Sequence, residues 1–166
     1  GIPVVDTSFK LIYLGVGQDD TSIRAALAPY LKDDCLVAFD APLVVTNPTG
    51  QRPSETALNR DFAKFEAGAH PTNTGKPEFA GTPRAARLAK AFDLDTDPDS
   101  QSPRRAIEVY PHPATVALFR LGRTLKYKAK PGRTFAQLRS ELLRLMDLVE
   151  SLAQATPSLR VTDHDG

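Results

Sequence analysis

The chain has one cysteine, Cys35, one methionine and no tryptophan in 166 residues. A lone cysteine excludes an internal disulfide and any zinc cage built on cysteines, and it is compatible with the cytoplasm. Long apolar runs are missing as well. The longest, such as Leu36-Val37-Ala38-Phe39, are strand-sized, far below the roughly 18 residues of a membrane span. No membrane association is therefore expected. The opening Gly1-Ile2-Pro3-Val4-Val5-Asp6 shows neither the basic region nor the apolar stretch of a secretory leader. Net charge is small too, +1 from 21 basic and 20 acidic residues. With 41% apolar and 25% charged residues, neither disorder nor a collagen-like repeat fits. The expectation is one cytoplasmic domain over residues 1–166 with a single sizeable core.

What the chain does have is proline. Ten of its 14 prolines lie between Pro42 and Pro113, so the middle of the chain should be rich in shaped loops. Charge is also unevenly spread. From Arg104 to Arg144 ten Lys and Arg face only Glu108 and Glu141, a balance of +8, while the rest carries −7. Such a segment attracts phosphates by steering and counterion release. A solvated helix face would equally account for several of these cations. The densest part, Lys126-Tyr127-Lys128-Ala129-Lys130-Pro131-Gly132-Arg133, reads as a loop with one aromatic among four cations. Lys126, Lys128 and Arg133 are therefore candidate phosphate contacts.

Hydropathy patterns alternate between strand and helix. Phe9 to Leu14 reads as a strand ending at Gly15-Val16-Gly17. Asp19 or Asp20 can cap a helix carrying Ile23, Ala26 and Leu27, which Pro29 would kink or shorten. Cys35 to Phe39 reads as a strand buried on both faces, and Ala106 to Tyr110 as a second inner strand. Ser54 can cap a helix through Phe65. Thr82 can cap another at Pro83, and Pro113 can open a third. Thr134-Phe135-Ala136-Gln137 is a capping box, followed by an apolar stripe of Phe135, Leu138, Leu142, Leu145, Val149 and Leu152 up to Pro157. Strands alternating with helices imply an α/β fold, with function at the carboxyl ends of the strands.

Two carboxylates stand at such ends. Asp40 closes one strand just before Ala41-Pro42, and Glu108 interrupts Ile107-Glu108-Val109. A buried carboxylate needs a cation or a donor. Together the pair makes a hard-oxygen site suited to Mg²⁺ or Mn²⁺. The competing reading is a structural ion pair with Arg52 or Arg60. Asp6, in Val5-Asp6-Thr7-Ser8, is either a third carboxylate or ordinary turn material. His70 and His112 sit beside prolines, where they can orient phosphate or move protons, although a loop histidine is commonly just hydrogen-bonded. His164 is uninformative. Asp93 to Asp99 looks like a calcium loop, but Pro98 stands where glycine is needed and Arg104 where a carboxylate is needed. Neither a His-Glu-x-x-His zinc motif nor a glycine-rich phosphate loop is present.

Three segments carry a resemblance: AFDAPLVVTNPTGQRPSETALNRDFAKFEAGAHPTNTG (Ala38 to Gly75), AIEVYPHPATVALF (Ala106 to Phe119) and LKYKAKPGRT (Leu125 to Thr134). Over roughly Cys35 to Met146 the chain resembles a domain-of-unknown-function family of predicted ribonuclease H-like nucleases. The resemblance implies an α/β fold of ribonuclease H-like type, a mixed five-stranded sheet flanked by helices, with carboxylates gathering divalent metal. Carried over, Asp40 is the carboxylate ending the fourth strand and Glu108 the acid of Glu-Val-Tyr-Pro. Arg52, Asn59, Arg60, His70, His112 and Lys128 then line the pocket or touch phosphate. The sequence departs from the family in lacking the first strand and a C-terminal helix with its last aspartate.

The leading expectation is thus a Mg²⁺- or Mn²⁺-dependent nuclease acting on RNA or DNA, with Asp40 and Glu108 as catalytic metal ligands. The alternative is a nucleic-acid-binding or interaction module on the same fold without turnover. A phosphotransferase is disfavoured by the missing glycine-rich loops. Oligomeric state is left open.

Overall fold

A computed structural model of the chain describes residues 1–156; Pro157 and His164 lie outside them. The described residues form four strands and five α-helices, a mixed α/β architecture. They gather into two compact units, Leu27–Thr124 and the pair of segments Gly1–Ala26 with the described residues from Leu125 onward. No helix among them is long and apolar enough to cross a membrane.

In the first and last segments, β1 (Ile2–Val5) and β2 (Leu11–Gly15) form an antiparallel hairpin with Val4 opposite Tyr13. Asp6 closes its turn. One carboxylate oxygen accepts from the Ser8 and Lys10 amides at 2.9 and 3.0 Å and from the Ser8 hydroxyl at 2.6 Å. The turn-forming reading of Asp6 is the one the structure shows. Helix α1 (Asp20–Leu27) starts at Asp19, whose carboxylate accepts from the Ser22 amide at 2.7 Å. It stops two residues before Pro29, because the residue preceding a proline is pushed out of helical backbone. Helix α5 (Phe135–Ser151) begins with the expected capping box: Gln137 N–H donates to the Thr134 hydroxyl and Thr134 N–H to the Gln137 side chain.

In the central unit, β3 (Cys35–Phe39) and β4 (Arg104–Glu108) pair in parallel, Cys35 opposite Arg104 and Phe39 opposite Glu108. The strands therefore make two two-stranded sheets rather than one five-stranded sheet. Strand β3 is not buried on both faces, since Leu36 is 57% exposed while Cys35, Val37 and Phe39 are half-buried. Strand β4 lies two residues earlier than its apolar pattern suggests. Tyr110 already serves as the N-cap of α4 (Pro111–Leu118), so the chain turns before Pro113. The start of α2 (Pro53–Phe62), entered from Arg52, shifts for the same reason, because proline prefers the first helical position. In α3 (Arg84–Ala91) the proline itself, Pro83, is the cap and the helix starts one residue later.

The core of this unit is assembled mainly by α3 and the loops around it. Ala85, Leu88, Ala89, Phe92 and Leu94 are buried together with Leu43, Ala67, Ala106, Val116 and Leu121. Arg104 fastens the surrounding chain. Its guanidinium donates to the carbonyls of Leu31 at 2.7 Å, Asp33 at 2.9 Å and Phe92 at 2.7 Å, the last capping the end of α3. The acidic stretch after α3 is laced to itself. Asp95 accepts from the Asp97 amide and Asp97 from the Asp99 amide, each at 3.0 Å.

Candidate active site

Two parallel strands ending side by side put their last residues at one edge. Glu108 is the final residue of β4, and Asp40 follows the residue paired with it. Both line a cleft of about 510 Å³ together with Arg52, Glu55, His70 and Tyr110. Residues of α2 and of the segments after Phe39, after Gly68 and after Glu108 form its walls.

Arg52 organises the cleft floor. It donates to Glu108 through two nitrogens at 2.6 and 2.9 Å, to Glu55 at 2.9 Å and to the Val44 carbonyl at 3.1 Å. The pairing holds the guanidinium pKa above its ordinary value, with the Glu108 hydrogen bond as the largest influence. Glu55, only 4% exposed, also accepts from the backbone amides of Arg52 and Thr72 at 3.0 Å each. Burial pushes its pKa up most strongly, yet the hydrogen bonds from Thr72 and Arg52 together hold it below the ordinary value. Glu108 receives a further bond from the Leu43 amide at 3.0 Å. Glu108 thus meets one of the two arginines that spacing offered as its structural partner. The other, Arg60, pairs on the surface with its neighbour Asp61.

Other expected site residues act at one remove. The Asn59 amide brackets Ala69, donating to its carbonyl at 3.0 Å and accepting from its N–H at 2.6 Å. The Tyr110 hydroxyl donates to the Gly68 carbonyl at 3.1 Å from the other side. A side chain at Gly68 would collide with the Asn59 amide oxygen at 2.5 Å, so glycine is required for this approach. These contacts place His70 on the cleft wall. Burial raises the Tyr110 pKa, and the nearby Asp40 charge adds to it, so the phenol stays protonated. His112 is absent from the cleft lining. Its ring stands edge-on to Tyr110 and its Nδ1 lies 3.0 Å from the Thr124 hydroxyl. The loop after His70 is tied down by Thr74 N–H to the Asn47 carbonyl at 2.9 Å and by Lys76 to the Pro71 carbonyl.

The basic segment divides in the same way. Arg104 and Arg105 point inward at backbone carbonyls, the latter at Ser100 at 2.6 Å. Lys126, Lys128 and Arg133 belong to the other unit, in a loop. There Lys128 stands 5.9 Å over the Tyr127 ring and Arg133 donates to the Lys128 carbonyl at 2.8 Å.

A model of one protein family matches residues 7–165, nearly the whole chain. The chain belongs to the family described as Protein of unknown function (DUF429). No curated protein and no solved structure matches it. The family's description assigns no chemistry to the chain.

Two members of the DUF429 cleft escaped sequence reasoning. Glu55 was legible in principle: it stands three residues after Arg52 in Arg-Pro-Ser-Glu, the spacing of a capping glutamate. From the sequence, Tyr110 reads as the last residue of a strand that in fact ends at Glu108.

What could the cleft hold? Among the described residues no group of three or more His, Cys, Asp or Glu side chains is gathered to cage a metal. Its lining carries three carboxylates against one guanidinium, a net charge of −2 with histidine neutral. A carboxylate offers about four lone-pair positions. Three on Glu108 are used, two on Oε2 and one on Oε1, so Oε1 keeps one. That position and Asp40 suit a hard cation that retains waters and shares its shell with substrate oxygens, as Mg²⁺ and Mn²⁺ do.

Proposed function

We propose that this cleft hydrolyses nucleic-acid phosphodiesters with Mg²⁺ or Mn²⁺ held by Asp40 and Glu108. The observation that supports this most is the placement of both carboxylates at the ends of paired parallel strands, in one cleft of net charge −2. A phosphodiester adds another negative charge there, so it enters favourably only with cations. When bound, the metal supplies positive charge to the scissile phosphate and acidifies water.

The chain's own residues do the rest. Arg52 holds the Glu108 carboxylate in one orientation, and Glu55 balances Arg52 from below. Tyr110 and Asn59 fix the Gly68–Ala69 segment that leads into His70, and His70 is the proposed group for proton exchange with the leaving oxygen. Lys126, Lys128 and Arg133 are the proposed backbone contacts, holding nucleic acid with little sequence selectivity.

A second reading has its own observation. Glu108 is bonded through both oxygens to Arg52 and Leu43, which suits a nucleic-acid-binding module that keeps the fold without turnover. One experiment separates them. Mn²⁺-dependent cleavage of labelled single-stranded RNA, DNA and hybrid duplex is measured beside Asp40→Asn and Glu108→Gln. Cleavage that falls to background in both variants and in chelator supports the nuclease. Absent cleavage, with binding that weakens as salt rises, supports the module.

A further inference from the structure

Helix α5 carries more apolar surface than one side can bury. At 100° per residue, its half-buried positions Leu138, Glu141, Leu145, Leu148, Val149 and Leu152 share one face. A second face centres on Leu143, which is 41% exposed, and is bordered by Met146 at 48% and Phe135 at 79%. A hollow of about 550 Å³ runs along this face between Phe135 and Asp147. The exposed charges of the helix face around the hollow balance, Arg139 and Arg144 against Asp147 and Glu150. A neutral face of this kind does not suit a polyanion.

It suits itself. Arg139 and Asp147 stand four residues before and four after Leu143, on the same side of the helix and about 12 Å apart along it. Neither has an ion-pair partner among the described residues. In an antiparallel pair of α5 helices with the twofold axis at Leu143, Arg139 meets the partner's Asp147, and Asp147 the partner's Arg139. On one flank, Met146, about 60° round the helix from Leu143, comes level with the aliphatic stem of the partner's Arg139. Ala136 and Ser140 leave room for the close approach that helix packing requires. A twofold contact must be complementary to itself, and this face is.

We propose that the chain forms a twofold homodimer through antiparallel packing of α5 about Leu143, with two reciprocal Arg139–Asp147 pairs. The proposal is independent of what the cleft does.

Charge reversal tests it in the whole chain. Sedimentation velocity at low ionic strength, at concentrations up to about 1 mM, the weak end of the affinity scale, should show a monomer–dimer equilibrium. Arg139→Glu and Asp147→Arg each turn two attractions into two repulsions, so each should weaken the dimer about tenfold or more. The double variant R139E/D147R restores both pairs and should dimerise as the parent does. Mixing the two single variants also restores both pairs, and should give heterodimer where neither alone dimerises. Recovery in the mixture shows that the single variants remain folded. A parent that stays monomeric overturns the proposal. So does a dimer indifferent to either reversal, or one that neither the double variant nor the mixture recovers.

Discussion

The central unit and the hairpin-plus-helix unit solve burial in opposite ways. Residues Leu27–Thr124 contain much irregular chain and most of the prolines, yet they hold nearly every buried apolar side chain. The other unit has the more regular elements, a hairpin and the 17-residue α5, yet Leu125 is its one buried apolar residue among those described. Val5, Ile12, Leu14 and Val16 stay exposed along the hairpin and beyond it. Regular secondary structure is thus no guide to where a core closes. In the central unit, buried polar contacts and shaped loops close it, so that unit should respond to substitution far more sharply.

The largest effect is expected at Glu55. Its carboxylate satisfies two backbone amides and Arg52 in a nearly closed site. Glu55→Ala leaves those donors without their acceptor and should lower unfolding free energy by about 3–5 kcal/mol, read by urea denaturation. The same group sets a pH dependence. Its folded pKa lies below the unfolded value, so the unfolded chain binds the proton more readily. The stabilisation is present above about pH 4.3, the ordinary glutamate value, and is lost as pH falls through the depressed folded pKa. Urea midpoints measured downward from pH 6 should fall in the parent and fall less in Glu55→Gln.

Next comes Leu88, buried in α3 beside Ala85 and Ala89. Leu88→Ala opens a cavity among side chains held in place by the loops around them, at a loss of about 2–4 kcal/mol in the same assay. A loss under 1 kcal/mol would mean that the central unit is no better packed than the other.

How much of this was readable in the chain follows the distance over which each feature is encoded. Thr134 and Gln137 lie three residues apart, and Asp6 acts on residues two and four ahead, so both could be read directly. The strand Cys35–Phe39 was visible, but its exposed face was not, because burial depends on what the rest of the chain lays against it. Helix starts were misplaced by one or two residues: α2 and α4 begin at Pro53 and Pro111, ahead of the expected Ser54 cap and Pro113 start, and α3 begins after Pro83, which is its cap. In the cleft, Asp40, Arg52, His70 and Glu108 were all nominated. That Arg52 binds Glu108 across 56 residues, or that Asn59 and His112 hold loops rather than line the cleft, is decided by tertiary geometry.

A moderate effect is expected at the start of α5. Thr134→Ala removes the hydroxyl that accepts from the Gln137 amide. N-cap losses of this kind cost about 1 kcal/mol. Because the helix has no fully buried side chain, the loss should be local. Native-state hydrogen exchange should show faster exchange in the first turns of α5 and unchanged protection in β3 and α3.

The smallest effect separates the two units most cleanly. Leu142 has the same side chain as Leu88 and also sits within a helix, but it is 45% exposed. Truncating it removes little area from contact and opens no cavity, and alanine has the higher helix propensity. Leu142→Ala should therefore change the unfolding free energy by no more than about 0.5 kcal/mol. The contrast with Leu88→Ala holds residue type and secondary structure constant and varies only the surroundings. Measured in dilute protein, where any association through α5 is absent, equal losses at the two leucines would show that Leu142 is covered in solution. Unequal losses would show that the closed core belongs to the loop-rich unit.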